Sequence, residues 1–282
     1  MAESSRSRIP LFYFSGTGNT WWASRELAAG LQAHGFDAQA VSIEQASPEE
    51  VHNLVAEAAI VGLGFPIYGS DAPRLVHRFV ESLPRLKEEK PMLGYVTQLA
   101  WSGDGINFLY PILLRKGYRI RWAAEFNMPN NICLAPKLYA SDYASFTQRL
   151  EANRADIMAL CARVASGEEF RQHSTPQDAA LAWMQRGPFR LLHDLGRGLW
   201  SVERDKCTSC GICERNCPVD NIRLVDGFPV YGSDCIYCMR CFNYCPAVAI
   251  RYMKLGNRHA DQVSPFQGPV PEFHPGLVTK KK

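Results

Sequence analysis

The chain has 282 residues, of which 46% are hydrophobic and 21% charged, and its formal net charge at pH 7 is +3. The composition is that of a globular protein with enough apolar residues for a core, and the length favours one large domain plus a smaller one. The small net charge argues against nucleic-acid binding, and no apolar run approaches the roughly 18 residues of a membrane span, so we expect a cytoplasmic protein without one.

The first part of the chain alternates predicted strands with helical patterns. The five predicted strands are IPLFYFS, DAQAVSI, AAIVGLGFPIY, KPMLGYVTQLA and YRIRWAAEFNM. Strands that are apolar throughout are covered on both faces, which is typical of a parallel sheet between two layers of helices. The pattern predicts an α/β domain over residues 9–167, with a doubly wound, five-stranded parallel sheet.

The chain changes character after residue 167. Residues 168–202 are polar, contain Gly187 and Pro188 and show a modest helical pattern near PQDAALAWMQ, so we interpret them as a connector. A second, smaller domain is expected over residues 203–253. The tail, residues 254–282, carries no motif.

The stretch FSGTGNT, residues 14–20 and here called the phosphate loop, lies where the first strand gives way to the first helix. It contains no lysine or arginine; its small or hydrogen-bonding residues are Ser15, Gly16, Thr17, Gly18, Asn19 and Thr20. A helix start offers free backbone N–H groups and a positive dipole end, which together bind a phosphate without any cation. The alternative is a well-capped helix with a glycine-rich turn.

The sequence YFSGTGNTWWA resembles the phosphate-binding motif of flavodoxin-like proteins, which implies FMN. Two later stretches follow the third and fourth strands as that family's flavin-contacting loops do: residues 64–73, the first flavin loop, and residues 97–105, the second. The resemblance implies flavin-contacting residues at Pro66, Ile67, Tyr68, Gly69, Trp101, Ser102, Gly103 and Asp104. Tyr68 and Trp101 can equally be packing residues, and Asp104 a turn residue.

Eight of the ten cysteines fall between Cys207 and Cys245, in two runs of the form C-x-x-C-x-x-C-x-x-x-C-P. Each cysteine recurs 28 residues later, which marks an internal duplication. Thiolates suit iron and sulfide, so we predict two [4Fe-4S] clusters; zinc is the alternative.

The spacing resembles that of bacterial two-cluster ferredoxins, which implies a ferredoxin-like α+β fold for the second domain. In that family the fourth cysteine of each run ligates the other cluster. The resemblance therefore implies a first set of Cys207, Cys210, Cys213 and Cys245, and a second set of Cys217, Cys235, Cys238 and Cys241. The remaining Cys133 and Cys161 are expected to be packing residues. Residues 129–140 form a long loop that can cover a ligand or dock a partner.

Together the two parts resemble the flavodoxin-ferredoxin fusion proteins of anaerobic bacteria and archaea. The leading hypothesis is an electron-transfer protein that relays electrons between two clusters and FMN and on to a redox partner protein. The alternative is a flavin-dependent reductase of a small-molecule substrate such as a quinone, a disulfide or a corrinoid. A redox sensor ranks third.

Overall fold

A computed structural model of the chain describes residues 6–131, 143–172, 175–252 and 265–280. The larger domain is built on a parallel sheet whose strands are β1 (Arg8–Tyr13), β2 (Asp37–Ser42), β3 (Val61–Pro66), β4 (Lys90–Gln98), β5 (Tyr118–Asn127) and β6 (Phe170–Arg171). The strand order is β2-β1-β3-β4-β5-β6, so the direction of winding reverses at β1. This is the doubly wound, flavodoxin-like order, as predicted.

Strand β6 is an addition to the five predicted strands. It has only two residues and is not an apolar run, so no sequence pattern marks it. It is held at the sheet edge by pairing of Phe170 with Trp122, whose indole N–H also donates to the Glu168 carbonyl at 2.8 Å.

Helices cover both faces of the sheet. Helices α1 (Asn19–Ala33) and α5 (Tyr143–Ser166) share one apolar core with one face, and that core includes Trp21, Trp22 and Cys161. Helices α2 (Pro48–Glu57), α3 (Arg74–Ser82) and α4 (Tyr110–Arg115) pack on the other face. Within the described ranges, no helix is both long and apolar enough to cross a lipid bilayer.

The connector contains a long helix, α6 (Pro176–Gly196). It begins with a capping box, because the Thr175 hydroxyl accepts from the Asp178 N–H while the Asp178 carboxylate accepts from the Thr175 N–H. The sequence predicts only its first half, since proline inside a helix costs a backbone hydrogen bond. The helix nevertheless continues through Pro188 because its flanking side chains are anchored on the larger domain, as described below.

The smaller domain contains two short helices, α7 (Ile212–Arg215) and α8 (Arg240–Asn243), and strands β7 (Trp200–Val202), β8 (Ile222–Val225), β9 (Phe228–Tyr231) and β10 (Ile250–Tyr252). Strands β7 and β10 pair antiparallel, as do β8 and β9. The duplication extends to the backbone: the left-handed residues Ser209, Gly211 and Asp220 recur as Tyr237, Met239 and Val248. The two cysteine runs therefore fold alike, although Gly211 is replaced by the bulkier Met239.

The C-terminal segment, residues 265–280, binds to both domains. The Phe273 ring lies 5.1 Å from that of Trp21 and 6.1 Å from that of Tyr244, centroid to centroid. Ser42 donates to the Val278 carbonyl at 2.7 Å. The tail, which carries no motif, thus fastens the smaller domain to the larger one.

The two domains are joined most directly by Arg240, whose side chain is fully buried. Its guanidinium donates to the carboxylate of Glu44, which is 2% exposed, and to the backbone carbonyls of Ser15 and Gly16, the latter at 2.7 Å. Burial raises the pKa of Glu44, and the Arg240 guanidinium opposes that rise by attraction and by hydrogen bonding. Neither charge has access to water, so each depends on the other.

Replacing Arg240 by methionine is expected to lower the free energy of unfolding by about 3–5 kcal/mol, because Glu44 is then buried without a counter-charge. The loss should shrink as the pH falls, because a buried carboxyl with a raised pKa is stable in its protonated form. Urea denaturation of the anaerobic holoprotein at several pH values measures both effects.

Two variants serve as controls for this experiment. Arg154→Met removes an exposed arginine from Glu26 and should cost about 1 kcal/mol or less. Adding Glu44→Gln to Arg240→Met should recover much of the loss. Equal losses for Arg240→Met and Arg154→Met would show that the buried pair does not join the domains.

Candidate functional site

The phosphate loop lies at the carboxyl end of β1, and α1 begins within it at Asn19. The N–H groups of the first helical turn have no partners inside the helix. The loop is shaped by a hydrogen bond from the Gly18 N–H to the Ser15 hydroxyl at 3.1 Å and by the left-handed conformation of Gly18, φ 110°. A side chain at Gly18 would collide with Phe273 of the tail.

Arg240 orients the same loop from behind. In a trans peptide the C=O and the N–H that follows it point in opposite directions. Because the carbonyls of Ser15 and Gly16 accept from Arg240, the N–H groups of Gly16 and Thr17 point away from that guanidinium. The loop therefore presents N–H groups to an anion on its other side.

A cleft of about 70 Å³ opens there, large enough for a phosphate but not for a whole flavin. It is lined by Ser15, Gly16, Thr17, Asn19, Thr20, Pro66, Ile67, Tyr68, Thr97, Gln98, Leu99, Pro129, Asn130 and Asn131. The structure thus brings the predicted phosphate loop together with Pro66, Ile67 and Tyr68 of the first flavin loop.

Two buried acceptor atoms in this cleft have no hydrogen-bond partner among the described residues: Asn19 Oδ1 and Gln98 Oε1. Both amide groups are fixed by their NH₂ ends, since Asn19 donates to the Pro129 carbonyl and Gln98 donates to Glu125 and Asn127. Buried unpaired acceptors are rare unless a ligand supplies the donor. FMN has donors in its ribityl hydroxyls and its ring N–H, so this cleft fits it chemically.

The rest of the predicted flavin residues lie against α6. A side chain at Gly69 would meet Phe189, and one at Gly103 would meet Ala182. Trp101 donates to Asp178 at 3.1 Å, Ser102 is buried, and Asp104 is ion-paired with Arg186. None of these residues lines the cleft, because α6 occupies the space beside the two flavin loops.

The eight cysteines of the two runs form two cages. Cys207, Cys210, Cys213 and Cys245 line one small cavity, here the first cage. Cys217, Cys235, Cys238 and Cys241 line another, the second cage. These are the two sets that the ferredoxin resemblance implies, with the fourth cysteine of each run exchanged.

The chemistry of the cages suits iron-sulfur clusters. A zinc site needs sulfur atoms about 2.3 Å from one ion. In the part of the chain that the structure describes, no group of three His, Cys, Asp or Glu side chains can hold a single metal ion. Burial raises the pKa of the Cys213 and Cys235 thiols to about 11, and a positive metal centre held in the cage would favour their thiolate form.

Backbone N–H groups point at the cage sulfur atoms. The Asn221 N–H lies 3.2 Å from Cys217 Sγ, and the Ala249 N–H lies 3.3 Å from Cys245 Sγ, which is the same bond 28 residues later. Such bonds to cluster sulfur stabilise its negative charge and help to set the reduction potential.

The second cage lies directly behind the phosphate loop. A Cβ on Gly16 would be 2.7 Å from the Cys238 carbonyl oxygen and 2.8 Å from the Tyr68 hydroxyl. Burial, followed by the nearby Cys238, raises the pKa of Tyr68. The first flavin loop, the phosphate loop and the second cage therefore touch one another at one point.

Sequence reasoning missed several residues of this site. Arg240 occupies the place that Ile212 has in the first cysteine run, and a charged residue where a repeat has an apolar one is a usable signal. Glu44, Gln98 and Asn131 carry no such signal. Cys133 and residues 132–140 of the long loop lie outside the described residues.

The comparisons with known proteins agree with both parts. Residues 200–223 match the family model described as "4Fe-4S binding domain", which spans the first cysteine run. A putative diflavin flavoprotein of Nostoc sp. is 26% identical over 111 residues, 39% of this chain and 20% of that protein. The chain thus spans about a fifth of the length of that relative.

Flavodoxin itself is matched in sequence and in structure. The solution structure of two-electron reduced Megasphaera elsdenii flavodoxin superposes with a TM-score of 0.39 and 22% identity, covering 55% of this chain and 98% of that one. In sequence, the flavodoxin of Megasphaera elsdenii is 33% identical over 100 residues, which are 34% of this chain and 68% of that protein. With that coverage, and with the strand order and phosphate loop described above, the chain belongs to the flavodoxin family, to which it adds a 4Fe-4S binding domain.

Proposed function

We propose that this protein relays electrons between two [4Fe-4S] clusters and FMN and passes them to a redox partner protein. Iron-sulfur clusters exchange single electrons, whereas FMN takes one or two. The observation that carries the proposal is the contact of Cys238 in the second cage with Gly16 and Tyr68 at the flavin cleft.

The burial of the cysteines supports an order for the relay. Cys210 of the first cage is exposed to solvent, whereas Cys238 of the second cage is buried against the larger domain. The first cage can therefore face a partner protein, while the second faces the flavin. Arg240 keeps this arrangement fixed, because it begins helix α8 between two cysteines of the second cage and donates to the phosphate loop.

A second candidate function is the reduction of a small molecule such as a quinone, a disulfide or a corrinoid. It is supported by a cavity of about 610 Å³ lined in part by Glu125, Asn127 and Arg149. Gln98 connects this cavity to the flavin cleft, because it lines the cleft and donates to Glu125 and Asn127. Burial raises the pKa of Glu125, which suits a carboxyl that delivers a proton. Turnover of such a substrate at the rate of flavin oxidation would favour this function over the relay.

Replacing Thr20 by valine is expected to weaken FMN binding about tenfold, because the variant keeps the shape of the cleft wall but loses the Thr20 hydroxyl, which lies 2.7 Å from the Thr97 hydroxyl in that wall. Titration of apoprotein with FMN, followed by quenching of flavin fluorescence, measures the dissociation constant. Ser24→Ala is the matched control, since the Ser24 hydroxyl lies one turn along α1 and bonds the Thr20 carbonyl and Tyr95. Failure of the native protein to bind FMN would remove the flavin from the proposal.

Cysteine-to-alanine variants test whether the fourth cysteine of each run, Cys217 or Cys245, ligates the cluster of the other run. Cys245→Ala and Cys207→Ala should lose the same cluster, and Cys217→Ala and Cys235→Ala should lose the other. Iron content should fall in each from about eight atoms per chain to about four, and EPR of the reduced protein identifies the cluster that remains. Cys161→Ala, at a buried cysteine outside both cages, should keep all the iron. Loss of the same cluster in Cys245→Ala and Cys235→Ala would contradict the pairing.

The relay order predicts unequal effects of losing each cluster. After laser-flash photoreduction under anaerobic conditions, electron transfer from cluster to flavin should persist in Cys210→Ala and disappear in Cys235→Ala. The reason is that only the second cage contacts the flavin cleft. Bleaching of the flavin and cluster absorption bands follows the transfer. A transfer phase that survives in Cys235→Ala would reverse the order of the two cages.

A further inference from the structure

Helix α6 has one face that packs on the larger domain and an apolar face that is exposed. Its inner face contacts the flavin loops through Ala182 and Phe189. Its outer face exposes Leu181, Met184, Leu191, Leu192 and Leu195, each 54–69% accessible to solvent, and Pro188 lies among them. We call Leu181, Met184, Pro188, Leu191, Leu192 and Leu195 the apolar stripe.

The stripe has the spacing of a helix-pairing seam. Leu181, Met184, Pro188, Leu191 and Leu195 are separated by alternating steps of three and four residues, the a and d positions of a heptad pattern. Over 14 residues the seam is about 21 Å long. No described residue of the chain covers it, and uncharged surface of this kind on a helix marks an interaction site.

We propose that the stripe pairs with the same stripe of a second copy of this chain, with the two α6 helices antiparallel about a two-fold axis near Pro188. The order of side chains supports self-pairing, since it reads nearly the same in both directions. Leu181 would then lie opposite the partner's Leu195, and Met184 opposite the partner's Leu191. Gly187 beside the axis has open space around it, which lets the two helices approach closely. Opposed helix dipoles favour the antiparallel arrangement.

The size of the stripe sets the strength of the association. Five side chains about two-thirds exposed offer roughly 300–400 Å² of apolar surface per copy. A stable standard-size interface buries about 800 Å² per partner. The dimer is therefore a reversible one that depends on protein concentration.

The charges of α6 favour a second copy over a membrane surface. Helices that lie on lipid present lysine and arginine to the head groups. The arginines of α6 are instead engaged within the chain: Arg186 pairs with Asp104, and Arg190 with Asp71. The residues beside the apolar stripe on α6 therefore include no unpaired arginine that could bind anionic lipid.

Sedimentation velocity of the anaerobic holoprotein from about 1 μM to 1 mM tests the proposal. The mass should rise with concentration from 31.6 kDa towards twice that value. Leu191→Glu with Leu195→Glu should stay monomeric throughout, with iron content and circular dichroism unchanged. The control is Leu114→Glu, at an exposed leucine on α4, which should dimerise like the native protein.

A photo-crosslinking residue in place of Leu192 should yield a dimer whose cross-link maps by mass spectrometry to α6 of the other copy. Three results would overturn the proposal. They are a monomer at every concentration, association that the double substitution leaves intact, and a monomer that binds phosphatidylglycerol vesicles through the stripe. The last result would assign the stripe to a membrane surface.

Discussion

The structure depends most on a single buried guanidinium. Arg240 carries a charge in a position without water, so it is stable only while Glu44 and its carbonyl acceptors stay in place. Its partners belong to the larger domain, whereas Arg240 lies between two cysteines of the second cage. Relative motion of the domains would break this ion pair and the hydrogen bonds from Arg240 to the Ser15 and Gly16 carbonyls. These bonds, and not only the covalent connector, therefore keep the two cofactor sites next to each other.

The connector and the tail add to this constraint from two sides. Helix α6 packs over Gly69 of the first flavin loop and Gly103 of the second. The tail passes over the phosphate loop, where Phe273 fills the space that Gly18 leaves free. Both segments lack a recognisable motif, yet both touch the loops expected to hold the flavin. Both segments therefore pack on these loops and restrict their conformations.

The features that the sequence predicts are those that depend on short stretches of neighbouring residues. The doubly wound parallel fold rests on repeated strand and helix patterns and was confirmed. The two sets of cysteines rest on the ferredoxin resemblance, and the same two sets line separate cavities in the structure. Helix α6 was only half predicted, since Gly187 and Pro188 disfavour a helix locally while Arg186, Phe189 and Arg190 hold it through distant contacts. Trp101 is predicted to contact the flavin by family resemblance alone, whereas in the structure its indole donates to Asp178 of α6. Contacts between residues far apart in the sequence determine the structure at such positions, so a short stretch of sequence does not predict it.

The absence of lysine and arginine from the phosphate loop has a physical explanation in Arg240. The nearest buried cation stands behind the loop, where it binds carbonyl oxygens and is neutralised by Glu44. Arg240 therefore acts mainly by orienting the backbone and not by its charge. Because it binds the carbonyl oxygens, the N–H groups of the same peptide bonds point towards the cleft. A cation inside the cleft would add attraction for phosphate, but it would also place an unneutralised charge beside the second cage. Neutral donors held in position bind an anion without placing an added charge beside the cysteine cages.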